Sequence, residues 1–303
     1  MDALCVGGAV VDLTYVAHAR FRPGTSNPAT GSRAFGGVAR NVAVNLKRLG
    51  MAASLVSVLG EDEAGRTLAE DLARLGVDTS GLRRRAGART AEYLALLEPD
   101  GSLALGVADM VILDNLTLDD VAGAPPAAWI FADCNCPAAL LAGLIARTNG
   151  RRLAIDAVST PKASRLPERL DGLDLLFLNH DEAAAMLGRD AGALDPSQAI
   201  ADLKARGVAT VVLTLGAEGL MLGTGSAAPL RMPAVPTRIV DVTGAGDALI
   251  AGTLAGLIRG AALPEAARLG TAAAALTLAQ AGSTAPHLRL EDLHARLAQE
   301  GRP

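Results

Sequence analysis

The chain has 303 residues, half of them hydrophobic, 20% charged and 2% aromatic, with a formal net charge of −4. That length buries a sizeable core, either as one large α/β domain or as two small ones. The acidic balance excludes a general nucleic-acid binder, and the scarcity of aromatic residues excludes a stacking platform for single strands.

Taken in order, short apolar runs alternate with amphipathic ones. Residues 3–13 (ALCVGGAVVDL) predict a strand ending in turn glycines, and 37–50 predict a helix with Val38, Val42, Leu46 and Leu49 on one face and Gly50 as its stop. A strand is expected at 54–60 and a helix at 62–76. Continuous apolar runs at 129–134, 153–157, 175–179 and 211–216 have the character of buried parallel strands. Helices are expected between them at about 137–148, 180–187 and 197–207, and the C-terminal third is mostly helical. The alternation implies an α/β fold, a parallel sheet with helices on both faces.

Residues 14–35 and 88–112 break this rhythm. They are rich in turn formers, and the second reads as a hairpin about Pro99-Asp100-Gly101-Ser102. Together they predict a small separate sheet of the kind that covers a site. Such exposed strand pairs have edges that favour pairing with a second copy, so a homodimer through this sheet is expected.

Cys5, Cys134 and Cys136 are too few and too oddly spaced for a disulfide framework or a zinc site, and are read as reduced thiols of a cytoplasmic protein. The first twenty residues lack the basic start and long apolar core of a secretory leader. The alanine-rich stretch 261–281 carries Glu265, Arg268 and Gln280 and reads as too polar to span a membrane. Neither a nucleic-acid nor a membrane partner is expected.

The chemistry concentrates at 238–252, RIVDVTGAGDALIAG. A β-branched run, a glycine turn and an apolar helix together present free backbone N–H groups at the positive end of a helix. Glycines let an anion come close to those groups. A carboxylate in the same place, Asp247, repels a phosphate but suits a base that takes the proton of an attacking hydroxyl. Capping of the helix by Asp247 is the structural alternative. Neither a Walker A lysine motif nor a complete G-x-G-x-x-G is present.

The run DVTGAGDALIAG resembles the C-terminal signature of the ribokinase-like (PfkB) carbohydrate kinases, and FGGVARNVAVNLKRLG (35–50) resembles their N-terminal signature. The order also matches: Asp12, the Gly36-Gly37 pair, Asn179 and Glu182, TLGAEG at 214–219, then Gly244–Asp247. Phe35 and Ala39 are minor departures. The likeness covers nearly the whole chain. It implies a three-layer α/β/α sandwich with a mostly parallel sheet and a small β lid, residues 1–303 forming one kinase domain into which the two lid segments are inserted. It implies ATP and Mg²⁺ as cofactors, with a monovalent cation such as K⁺ as a further candidate.

Roles follow from the resemblance. Asp247 is the base, and Gly244, Ala245 and Gly246 form the anion hole. Asp12 holds sugar hydroxyls, while Gly36, Gly37 and Asn41 line the sugar floor, where a side chain at either glycine would fill the space. Asn179 and Glu182 act on Mg²⁺ and phosphate through water. Thr214, Gly216, Gly219 and Thr243 border the nucleotide, and Asp241 adjoins the candidate monovalent-cation site. Ordinary turn, helix or strand-end duty is the alternative for Asp12, Asn41, Glu182, Thr214 and Gly216.

Finer features resemble the branch of the family that takes pseudouridine: SNP at 26–28, Arg40 before Asn41, VADM at 107–110, ADCN at 132–135 and IDAVSTPK at 155–162. Asn27, Asp109 and Met110 are the acceptor-binding candidates they supply. Asp156 and Lys162 follow a strand end, where α/β sheets place ligands, and a simple surface pair is an equal reading. Ribose, adenosine, another nucleoside or a phosphorylated hexose stay open as acceptors, the last because Arg33 and Arg40 are available. A non-catalytic sensor would be expected to have lost the base or the anion loop, and both are intact.

Overall fold

The structure is a computed structural model and describes residues 1–147 and 150–300. The first half contributes β1 (Ala3–Val6), β2 (Val10–Ala17), β3 (Ala29–Gly36), α1 (Val38–Arg48), β4 (Ala53–Gly60), α2 (Glu63–Arg74), β5 (Leu82–Arg85), β6 (Glu92–Leu97) and β7 (Leu103–Asp109). Next come α3 (Leu118–Ala122), β8 (Trp129–Asp133), α4 (Ala138–Ala146), β9 (Arg152–Asp156), α5 (Thr160–Ala163), β10 (Leu175–Asn179) and α6 (His180–Leu187). The chain continues through α7 (Pro196–Ala205), β11 (Thr210–Thr214), β12 (Leu220–Thr224), β13 (Leu230–Met232), α8 (Ala245–Ile258), α9 (Leu263–Leu278) and α10 (Leu290–Glu300).

The large sheet runs β13-β12-β11-β10-β9-β8-β1-β4-β5. Its pairs are parallel except β11/β12 and β12/β13. Each strand splits its side chains between two cores. Cys5, Phe131 and Phe177 face α1, α2, α8, α9 and α10, whereas Leu4, Ile130 and Leu176 face α3, α4, α6 and α7. This period-two division builds the expected α/β/α sandwich. Helix α8 is apolar all round because it is enclosed, and small residues let α9 approach closely: an added Cβ on Gly270 would collide with Thr253.

The second sheet runs β3-β2-β6-β7, antiparallel except for β2/β6. It is the small lid sheet, and its hairpin turns at Glu98–Gly101 as expected. Its start corrects the sequence reading. Residues 3–13 are two strands in different sheets, so the lid begins at Val10 rather than at residue 14. The break lies at Gly7, whose φ of 142° lets the chain leave the central sheet. Apolarity does not mark it, because Val10 and Val11 are buried on the lid side as well. Strands β5, β12 and β13 were not anticipated. The helix expected at 137–148 ends at Ala146, and Thr148 lies outside the described residues.

All three cysteines are buried thiols. Among the described residues no helix is long and apolar enough to cross a membrane.

Candidate active site

Three neighbouring parallel strands end at one place. The C-terminal ends of β9, β10 and β11 deliver Asp156, Asn179 and Thr214, with Asn179 and Thr214 in register. With Glu182, Gly246, Asp247 and Val38 they line a pocket of about 170 Å³. In open α/β sheets ligands gather at such strand ends.

Helix α8 points its first turn into this pocket. Its cap Gly244 has φ 76°, and an added Cβ would collide with the Ser283 carbonyl, so the turn closes only with glycine. At Gly246 an added Cβ would meet no atom within 4 Å. The first-turn N–H groups have no partner within the helix, and without a side chain at Gly246 an anion can approach them closely.

Asp247 sits in that first turn. Burial, and the negative charges of Asp133 and Asp12, push its pKa from 3.8 to about 7, against the opposing effects of the Asn41 hydrogen bond and the Arg40 charge. Asn41 Nδ2 donates to Asp247 Oδ2 at 2.8 Å. A carboxylate poised near neutrality beside backbone donors can take a proton from a hydroxyl while the helix end holds the developing negative charge.

Asp12 comes from the lid strand β2. Burial raises its pKa to about 6, offset in part by Arg40. Both glycines of the N-terminal pair are required by their close neighbours. An added Cβ on Gly36 would run into the Asp12 carboxylate, and one on Gly37 (φ 97°) into the Gly8 carbonyl.

Asn179 and Glu182 form a capping box on α6. Asn179 donates through N and Nδ2 to the two oxygens of Glu182 at 2.8 and 2.9 Å, and Asn179 Oδ1 accepts from the Glu182 N–H at 2.8 Å. Burial raises the Glu182 pKa. Thr214 Oγ1 donates to the Leu178 carbonyl at 3.4 Å. Gly216 and Gly219 bracket a 3-10 turn with φ of 59° and 93°. Asp241 joins its own loop to the one after α9, accepting from Thr243 N and Gly282 N at 2.9 Å each.

Other candidates are not gathered here. Asn27 lies in the loop at the far end of the β2/β3 hairpin and spends its amide on the backbone of Arg22 and Thr25. Strand alternation puts Asp109 on the lid face opposite Asp12, since Asp109 pairs with Glu92, Glu92 with Val11, and Asp12 with Tyr93. Met110 packs against the core below the sheet. Lys162 reaches Asn135 rather than Asp156, so the surface-pair reading does not hold.

Sequence reasoning placed Asp156 after a strand end and passed over the two features described after it. Asp156 lines the pocket, and burial together with Glu182, Asp247 and Asp133 raises its pKa well above the usual range. Val158, with φ 69°, is the one described non-glycine residue with positive φ, and it lines the same pocket. Such strain in a β-branched residue collects at ligand sites. Asp133 is fully buried and accepts from Gly8, Ala39 and Asn135 N–H groups, fixing the chain where it enters β2 and where it leaves β3. Lone acids after strands carry no spacing signal.

Among the described residues no three His, Cys, Asp or Glu groups converge to ligate a metal directly. The carboxylates of Asp156 and Glu182 nonetheless face one pocket with Asp247, a charge distribution that suits a hydrated divalent cation.

A family model described as pfkB family carbohydrate kinase matches residues 1–289. Pseudouridine kinase of Escherichia coli (strain K12) is 28% identical over 298 residues, 95% of this chain and 94% of that one. Fructoselysine 6-kinase of the same strain is 31% identical over 256 residues, covering 82% and 91%. The structure of Arabidopsis thaliana ribokinase complexed with ribose and ATP shares the fold, with a TM-score of 0.86 at 23% identity and 98% of each chain covered.

Proposed function

The chain belongs to the pfkB family of carbohydrate kinases, and from that premise we propose that it transfers the γ-phosphoryl group of ATP to the ribose 5′-hydroxyl of pseudouridine. The products are pseudouridine 5′-phosphate and ADP. The coarser statement, an ATP-using sugar or nucleoside kinase of the ribokinase type, is what family membership carries. The observation that carries the mechanism is Asp247: a carboxylate with pKa about 7, in the first turn of α8 beside the open backbone of Gly246.

Bound Mg-ATP would supply the phosphoryl group and part of its charge neutralisation. Asp247 takes the proton of the attacking hydroxyl. Backbone N–H groups at Gly244, Ala245 and Gly246 hold the charge that develops on the phosphoryl oxygens. Asp12 accepts from vicinal sugar hydroxyls, and Asn41 steadies the Asp247 carboxylate. Glu182, fixed by Asn179, would hold water of the metal. Thr214, Gly216, Gly219 and Thr243 border the nucleotide, and Asp241 shapes the loop beside a candidate K⁺ site. Residues 1–303 act as one domain whose lid excludes water.

Pseudouridine as acceptor is supported by the similarity to the pseudouridine kinase and by the segments around Asn27, Arg40, Asp109, Asn135 and Lys162. A phosphorylated hexose is disfavoured. Arg40 is engaged by Asp71, and Arg33 lies over the Phe35 ring at 5.8 Å on the lid face away from Asp12. That same face exposes Tyr15, Leu103, Leu105 and Val107, an apolar patch that suits a homodimer through the lid.

The test is the initial rate of ADP release with Mg-ATP and pseudouridine, uridine, ribose, adenosine, fructose 6-phosphate or fructoselysine. A kcat/KM for pseudouridine about tenfold or more above the rest is expected, the discrimination a few well-placed polar contacts provide. A preference for another acceptor would keep the kinase and discard pseudouridine.

A further inference from the structure

Arg40 is 5% exposed, next to Asn41 on α1. A buried guanidinium needs acceptors for its donors. Nη2 donates to Asp71 Oδ2 on α2 at 2.8 Å, and Asp71 is held in turn by Arg74. Nη1 donates to the Phe35 carbonyl at 3.1 Å and to Asn41 Oδ1 at 3.0 Å. Asn41 then donates through Nδ2 to Asp247 Oδ2.

The direction of this chain is forced. Arginine can only donate and an ionised carboxylate can only accept. An amide between them satisfies both only with its oxygen toward Arg40 and its nitrogen toward Asp247. Without Arg40 the amide is free to turn its oxygen toward Asp247 and repel it. Resting on the kinase reading above, we propose that Arg40 is a positioning residue: anchored by Asp71, it locks the Asn41 amide and thereby the carboxylate of Asp247 in the orientation that accepts the acceptor's proton. It also links that carboxylate to the end of lid strand β3 through the Phe35 carbonyl.

A double-mutant cycle tests this, because a residue that acts through another loses its effect when the other is removed. Arg40→Met should lower plateau kcat by about 10- to 100-fold, the usual consequence of a misplaced reacting group. In an Asn41→Ala background the same substitution should cost less than about threefold more. An equal loss in both backgrounds, or no loss in either, overturns the proposal. Asp71→Asn, which loosens the anchor but keeps the cation, serves if Arg40→Met fails to fold. Its smaller loss should likewise vanish in the Asn41→Ala background, and persistence there overturns the proposal.

The pH profile adds a readout that a merely structural role would not move. The charged groups facing Asp247 are Asp12 on β2, Asp133 on β8, Asp156 on β9, Glu182 on α6 and Arg40 on α1, and Arg40 is the one cation among them. Arg40→Met should move the acid limb to higher pH, whereas Arg40→Lys, which keeps the charge without the fork, should leave the limb in place and lower kcat.

Absence of ADP formation by the wild type with any acceptor would count against the kinase reading alone. The inference is then read on the free protein by ¹³C-carboxylate titration of Asp247. A higher pKa in Arg40→Met than in wild type, with a perturbed Asp247 signal in Asn41→Ala, upholds it. Identical titrations overturn it.

Discussion

Replacing Asp247 by asparagine separates what the carboxylate does for catalysis from what it costs the fold. The folded-state pKa is about 7 against 3.8 for an unperturbed aspartate. That difference of roughly 3 units corresponds to a ceiling of about 4 kcal/mol for holding the group ionised. The folded state binds this proton more tightly than the unfolded chain does. The associated stability is therefore fully present below pH 3.8 and is lost as pH rises through 7. Asparagine does not ionise, and its Oδ1 can still accept from Asn41 Nδ2. The variant should be more stable than wild type at pH 8 by about 2–4 kcal/mol, or roughly 3–6 °C in Tm, with the difference closing toward pH 4. Turnover should fall by about 10²–10⁴, the loss of a general base. Thermal melts at pH 5 and pH 8 and ADP release at pH 8 measure both. A kcat within a few-fold of wild type, or a variant less stable than wild type at pH 8 and equal at pH 5, would refute the reasoning.

Four further outcomes follow from the same geometry. The acid limb of kcat/KM should fall near pH 7 with a second contribution near pH 6, from Asp247 and Asp12; a profile flat down to pH 5 contradicts these assignments. Gly244→Ala should lower stability by about 1–3 kcal/mol, because its φ of 76° and the Ser283 carbonyl leave no room. Gly246→Ala should melt like wild type and still lose kcat, since its added methyl meets no protein atom within 4 Å and would occupy the place the proposed mechanism gives to the phosphoryl oxygens; unchanged kcat would remove that placement. Leu105→Glu, on the exposed lid face, should convert a dimer to a monomer in light scattering, and a wild type that is already monomeric would remove the dimer.

Legibility differed between the fold and the site. The helix at His180–Leu187 matches its expectation residue for residue, because Asn179 and Glu182 mark its start and Gly188 its end. The buried strands announced themselves by apolar runs. Strand β5, reading Leu-Arg-Arg-Arg at the sheet edge, did not, since an edge strand with exposed arginines has no hydrophobic period to detect. The β1/β2 break was hidden for the opposite reason, burial on both sides of Gly7. At the site, the glycine-rich turn before Asp247 was readable because its backbone demands are local. Asp133 and the strain at Val158 were not, because they arise only when distant segments are brought together, whereas Asp156 was marked by its place after a strand end. Asn27 shows the converse: a residue singled out by its neighbours in sequence whose amide serves its own loop.

The most direct measurement is a competition. The protein is incubated with Mg-ATP and an equimolar mixture of pseudouridine, uridine, ribose, adenosine and fructoselysine, and the products are identified by mass and ³¹P NMR. The account predicts a phosphomonoester on the primary 5′-hydroxyl of pseudouridine, formed by wild type and not by Asp247→Asn. Phosphate on a secondary or anomeric hydroxyl, or equal product from Asp247→Asn, would contradict it.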